Sequence, residues 1–239
     1  MTRIPVPSRE RLIFAMDVAD AGAARALAER LGDSVQFYKL GLELFMAGGY
    51  FELLDWMVAR GKQVFVDLKF FDVPATVGAA VRNLAGRGVT FATVHGNQGI
   101  MEAAAAAKGD VKILAVTVLT SLDRGDLDDL GFDCDVDRLV LSRARRALEA
   151  GCDGVVSSGL EAAALRAGVD DRLIVVTPGI RPVENRPVDD QKRVVNVQQA
   201  FANGADYIVV GRPIRDAADP AAAAEAIQST IAGVFGGRS

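Results

Sequence analysis

Eight times along this chain, a short apolar run rich in β-branched residues is followed by a stretch with apolar residues at helical spacing. The strand-like runs are 11–17, 35–40, 63–69, 90–95, 111–117, 153–157, 173–177 and 206–210, and the helical stretches are 21–31, 51–60, 75–87, 99–107, 136–150, 161–167, 192–203 and 221–234. Strict alternation of this kind implies a parallel sheet, because each parallel neighbour needs a crossover. Eight units in 239 residues match a (β/α)8 barrel, whereas an open doubly wound sheet more often stops at five or six strands. The predicted fold is therefore α/β, a (β/α)8 TIM barrel in a single domain over 1–239, since no polar low-complexity linker interrupts it.

Composition narrows the function classes. A net charge of -4 supplies no basic field for a phosphate backbone, and no Lys/Arg patch is interleaved with aromatics, so nucleic acid is not an expected partner. The N-terminal Met-Thr-Arg-Ile-Pro-Val-Pro-Ser lacks an apolar signal core, and the alanine-rich stretches 103–107 and 221–226 are too short to span a bilayer. No membrane association and a cytoplasmic location are expected. Cys134 and Cys152 stand outside any CxxC or metal-ligand spacing, which predicts reduced, structural thiols.

A barrel collects its functional residues at the C-terminal ends of its strands. In order those ends carry Asp17, Lys39, Asp67 with Lys69, His95, Thr117 to Ser121, Ser157 with Ser158, Thr177-Pro178-Gly179, and Gly211-Arg212. The third is the densest: Phe65 to Pro74 reads Phe-Val-Asp-Leu-Lys-Phe-Phe-Asp-Val-Pro. Alternation puts Asp67 and Lys69 on one face, and Asp72 falls in the turn before Pro74 opens a helix. A lysine facing a barrel mouth needs a counter-ion, and for Lys39 the obvious one is Asp67. Simpler readings stand beside these. Asp72 could serve the first turn of the helix, Asp17 could be a turn residue, and His95, the only histidine, is read as structural or as a support to neighbouring site residues rather than as catalytic. Ser157, Ser158 and Thr117 read as loop hydrogen-bonders, with no histidine-acid pair placed to activate them. Pro178-Gly179-Ile180-Arg181 and Val210-Gly211-Arg212-Pro213 sit where barrels commonly hold phosphate, which points to a phosphorylated small molecule; the alternative is loop glycines with solvated arginines.

Four segments in order, Asp-Leu-Lys-Phe-Phe-Asp-Val-Pro-Ala-Thr-Val from Asp67, Thr-Pro-Gly-Ile-Arg-Pro from Thr177, Asp-Gln-Lys-Arg-Val at 190–194 and Val-Val-Gly-Arg-Pro-Ile from Val209, closely resemble the bacterial type of the orotidine 5'-phosphate decarboxylase family. The resemblance runs from about Leu12 to the last helix. It implies a homodimeric barrel that converts orotidine 5'-phosphate to uridine 5'-phosphate and carbon dioxide in pyrimidine biosynthesis, with no metal and no organic cofactor. Position by position, it makes Lys69 the proton donor to C6, puts Asp67 beside the departing carboxylate with Lys39 on its other side, and sends Asp72 into the neighbouring subunit's site. Asp17 with Lys39 would bind the ribose hydroxyls, Thr76 would be lent across the dimer, Thr120 would read the pyrimidine edge and Pro178 would pack near the base. The phosphate would fall to Arg181, Gln191, Gly211 and Arg212, with the segment from Arg181 to Gln191 closing over it.

Two stretches depart from the family pattern: Val-Asn-Val-Gln at 195–198, and Gly-Asn-Gln-Gly after His95. A rival lineage of metal-dependent keto-sugar-phosphate decarboxylases shares Asp-x-Lys-x-x-Asp but places a magnesium-binding glutamate on the second strand, where this chain has Lys39, a cation that repels the metal. The other alternative, a non-catalytic nucleotide-phosphate binding protein, would have no need to keep Lys39, Asp67, Lys69 and Asp72 together.

Overall fold

The computed structural model of the chain describes residues 5–181 and 193–236. Eight parallel strands close into a barrel in sequence order: β1 (Leu12–Ala15), β2 (Phe37–Leu40), β3 (Gln63–Phe70), β4 (Val89–His95), β5 (Lys112–Val116), β6 (Gly154–Val156), β7 (Ile174–Thr177) and β8 (Tyr207–Val210). Closure is direct, with Leu12, Ile13 and Phe14 of β1 in register with Ile208, Val209 and Val210 of β8. Eleven α-helices lie among the described residues: α1 (Ala21–Leu31), α2 (Leu42–Ala47), α3 (Tyr50–Val58), α4 (Pro74–Arg82), α5 (Gln98–Ala107), α6 (Arg124–Asp129), α7 (Val136–Glu149), α8 (Ala162–Gly168), α9 (Val197–Ala202), α10 (Arg212–Arg215) and α11 (Pro220–Gly236).

Period-two patterning divides the core. Ile13 and Ala15, Phe37, Phe65, Phe91, Leu114, Ile174 and Val176, Tyr207 and Val209 point inward and form one buried cluster. Their neighbours on the opposite parity, among them Leu12, Phe14, Tyr38, Val64, Val66 and Ala92, pack outward against the helices. Four aromatic rings plug the barrel: Phe91 lies 5.2 Å from Phe37, 5.9 Å from Phe65 and 5.1 Å from Tyr207, the last two edge to face. The interior is thus filled, and a cavity opens above it, where Lys39 and Asp67 continue the inward parity of Phe37 and Phe65.

Where element boundaries differ from expectation, the cause is local. The expected helix 192–203 begins only at Val197, because the Asn196 side chain caps it by accepting the Gln199 N–H at 2.7 Å, while Val195 pairs with Ile180 in a parallel bridge. Asn196 belongs to the stretch that departs from the family pattern. Helices α2, α6 and α10 were not anticipated, since four to six residues are too few to display helical periodicity; α6 is instead fixed by a capping box between Asp123 and Asp126. No helix among the described residues is long and apolar enough to cross a membrane. Cys134 and Cys152 are unpaired, and burial pushes the Cys152 thiol up to about 12.

Close packing between strands sets one stringent requirement. A Cβ on Gly154 would lie 2.3 Å from the Ile174 carbonyl oxygen and 2.9 Å from Leu114 Cδ2. Gly154→Ala is therefore expected to cost about 1–3 kcal/mol through overpacking, measured as a lower urea midpoint; an unchanged midpoint would show that β6 yields without cost.

Candidate active site

The strand ends open into one cavity of about 710 Å³, a volume suited to a small molecule, bounded by Asp17, Lys39, Asp67, Lys69, Thr120, Pro178, Arg181, Gly211 and Arg212. Nine of the residues singled out from the sequence thus share one mouth. Phe65 forms part of its floor.

Asp67 is its electrostatic centre. It is only 7% exposed, and its Oδ2 takes Lys69 Nζ at 3.0 Å and Lys39 Nζ at 3.3 Å. Lys39 also reaches Asp17 Oδ1 at 3.3 Å, so the charges run Asp17, Lys39, Asp67, Lys69 across β1, β2 and β3. Burial alone would raise the pKa of Asp67, but the two ammonium groups, with the Lys69 and Thr93 hydrogen bonds, hold it below the ordinary carboxylate value. For Lys39 burial works downward, and Asp67 and Asp17 reverse it, leaving the ammonium above the ordinary lysine value. Each ion is kept charged by the others. With ammonium groups on both sides of its central carboxylate, this donor set repels a divalent cation.

Lys69 does not reach Asp67 by plain alternation. Val66 pairs with Ala92 and Phe70 with Val94, so four steps on β3 (66 to 70) match two on β4 (92 to 94). Within this bulge Lys69 has φ 49°, the only positive φ among the described non-glycine residues. Such a conformation costs about 1–3 kcal/mol and persists only where its surroundings over-determine it. Here Thr93 does so: its Oγ accepts the Lys69 N–H at 3.0 Å and donates to Asp67 Oδ1 at 2.9 Å. Thr93 was missed in the sequence, although it shares the inward parity of Phe91. Arg215 was missed too; it lines the cavity three residues after Arg212 and donates to the Asp17 carbonyl at 2.8 Å.

Other residues lie elsewhere. Asp72 and Thr76 are exposed and do not line the cavity of their own chain. Asp72 Oδ1 accepts the adjacent Val73 N–H at 2.6 Å, while α4 opens at Pro74 with no side-chain cap on Val73. Gln191 lies outside the described residues. His95 stacks on Phe71 at 4.5 Å between ring centres and contacts Asn97 Oδ1 through Nδ1 at 3.2 Å, away from the cavity lining. Thr117 donates to the Val156 carbonyl and Ser157 to Glu161 Oε2, as loop hydrogen-bonders do.

Comparison with known proteins bears on the family and the fold. The family model described as Orotidine 5'-phosphate decarboxylase / HUMPS family matches residues 10–227. An orotidine 5'-phosphate decarboxylase of Methylococcus capsulatus is 69% identical over 231 residues, 97% of this chain and 96% of that one. One from Stenotrophomonas maltophilia is 54% identical over 243 residues, covering 100% of both chains. Among solved structures, orotidine 5'-phosphate decarboxylase from Lactobacillus acidophilus matches with a TM-score of 0.81 at 34% identity, over 93% of this chain and 99% of that one.

The role of Thr93 is open to direct test. Thr93→Val removes the partner of a buried carboxylate oxygen and of the Lys69 N–H, which is expected to cost about 1–3 kcal/mol at neutral pH. Asp67 has a depressed folded pKa, so its ionisation contributes stability above the unfolded pKa that is lost as pH falls through the folded one. Removing the Thr93 hydrogen bond raises that folded pKa, so in Thr93→Val the loss is expected at higher pH. Urea titrations across the acid range read both effects; superimposable curves for variant and parent would remove Thr93 from this role.

Proposed function

The chain belongs to the orotidine 5'-phosphate decarboxylase / HUMPS family, and on that premise we propose that it converts orotidine 5'-phosphate to uridine 5'-phosphate and carbon dioxide without metal or organic cofactor. The single observation that carries this reading is the buried, ionised Asp67 held between Lys39 and Lys69 at the cavity mouth.

When the C6–carboxylate bond breaks, carbon dioxide leaves and the electron pair stays on C6 in an orbital in the ring plane, with no adjacent carbonyl or imine to receive it. The stabilising charge must come from the protein. At about 4 Å and an effective dielectric near about 20, an ammonium is worth about 4 kcal/mol to such an anion, and more as water is excluded. Lys69 is the group for this task. It then gives an Nζ proton to C6 and is reprotonated from solvent. Its left-handed backbone and its bond to Asp67 fix where that proton is held before substrate arrives. Asp67, kept ionised by its lysines, faces the substrate carboxylate and disfavours the bound ground state relative to the carbanion.

Binding is distributed around the same mouth. Asp17 and Lys39 take ribose hydroxyls, Thr120 the pyrimidine edge, and Pro178 packs near the base. Arg181 and Arg212 take the phosphate, with Gly211 letting the backbone approach it; Gln191, assigned to the same group by resemblance, lies outside the described residues. Binding energy from the phosphate, remote from C6, can be used to place the reacting carbon against Lys69.

Asp72 and Thr76 complete the reading as groups lent to a second subunit. Their exposure beside the solvent-facing Phe71 and Val73, next to a neighbouring strand end that exposes Leu42, Phe45 and Met46, supports a self-association face. Lys69→Ala is expected to abolish uridine 5'-phosphate formation while leaving uridine 5'-phosphate binding measurable, and near-normal turnover would remove Lys69 from the mechanism. Mixing inactive Lys69→Ala and Asp72→Ala proteins is expected to restore activity in heterodimers, because one of the two mixed sites then carries both native residues. Verified heterodimers without activity would show that each site is built from one chain.

A further inference from the structure

The charge row fixes only one side of the mouth. Thr120 follows β5 and Arg181 follows β7, so the walls they form are separated by β6 and its connection. A buried ion pair spans that gap. Arg193 Nη1 meets Glu161 Oε1 at 2.5 Å, with side-chain exposures of 12% and 3%. The other carboxylate oxygen of Glu161 accepts the Ser157 hydroxyl at 3.0 Å, which anchors it to the end of β6. Arg193 Nη2 donates to the Val118 carbonyl at 3.2 Å and the Leu119 carbonyl at 2.9 Å, the two residues before Thr120.

The same segment is fastened to the other wall. Val195 accepts the Arg181 N–H at 3.0 Å and donates to the Gly179 carbonyl at 3.3 Å. Its side chain packs so closely over the β6 connection that a Cβ on Gly159 would come within 2.4 Å of Val195 Cγ2. One guanidinium therefore ties Glu161 to the Thr120 wall and, through Val195, to the Arg181 wall. Neither Glu161 nor Arg193 lines the cavity. A buried ion pair is a poor device for stability, since well-packed apolar groups often serve as well. What a planar guanidinium adds is several hydrogen bonds at fixed angles.

We propose that Glu161 and Arg193 are positioning residues that hold the base-facing wall at Thr120 and the phosphate-facing wall at Arg181 at one separation, that of a nucleoside monophosphate. This rests on the assignments of Thr120 and Arg181 made above. The advantage of such a strut is that of linked binding: once one end of the ligand is seated, the other meets its wall at high effective concentration. Loss of the strut leaves each wall able to bind its own half of the ligand but misplaces the two relative to each other.

Arg193→Lys keeps the charge but cannot hold Glu161 and two carbonyls together, and Glu161→Gln keeps the Ser157 contact but loses the ion pair. Dissociation constants for uridine 5'-phosphate, uridine and ribose 5-phosphate are measured by NMR titration for both variants and the parent. Uridine 5'-phosphate is expected to weaken about tenfold, while each half-ligand changes by less than about twofold, as for coupled neighbours. Equal weakening of all three ligands, or unchanged uridine 5'-phosphate affinity, would overturn the proposal. Should Arg193→Lys fail to fold, Glu161→Gln decides by the same criterion. A parent protein that binds uridine 5'-phosphate no better than uridine would instead overturn the phosphate assignment on which the strut rests.

Discussion

Asp67, almost wholly buried at the base of the barrel mouth, can remain ionised only because two ammonium groups reach it from neighbouring strands. A carboxylate so buried would otherwise take up a proton, and a lysine as buried as Lys39 would lose one. The arrangement depends on the fold at each step. The β2–β3 register opposes Lys39 to Phe65, two residues before Asp67, and the bulge in β3 turns Lys69 back toward the same carboxylate. The β4 residue Thr93 fixes both. The aromatic plug of Phe37, Phe65, Phe91 and Tyr207 fills the barrel beneath these groups.

Much of this was legible in the sequence because it follows from short-range periodicity. The eight apolar runs gave the strands, their C-terminal ends gathered Asp67 with the other polar residues, and a cation at the end of β2 implied a nearby anion. What could not be read depends on contacts between distant positions. The bulge at Lys69 is invisible because lysine carries no signal for a left-handed backbone, unlike glycine. Thr93 looks like any β-branched strand residue until β3 is set beside it. Arg193 and Glu161, 32 residues apart, show no local pattern that pairs them. Short helices such as α6 are specified by capping chemistry rather than periodicity, which is why Asp123 and Asp126 were the usable clue.

The site divides physically into a reacting end and a holding end. In the proposed reaction the charge row supplies the field at C6, while the arginines after β7 and β8 hold a dianion several bonds away. Energy from the distant group helps the chemistry only if the two ends are rigidly related. Barrel closure provides that relation on the side of Asp17 and Arg215, and the Glu161–Arg193 pair provides it on the side of Thr120. An otherwise unfavourable buried ion pair therefore has a reason to exist beyond stability.

The central claim is that a lysine-flanked carboxylate, with no metal, drives loss of the C6 carboxylate. The most direct measurement adds orotidine 5'-phosphate to the protein in the presence of a strong chelator and follows the ultraviolet absorption of the pyrimidine together with released carbon dioxide. The account predicts conversion to uridine 5'-phosphate with one carbon dioxide per nucleotide, at a rate the chelator does not change. An unaltered spectrum, or turnover that appears only when magnesium is restored, would contradict it.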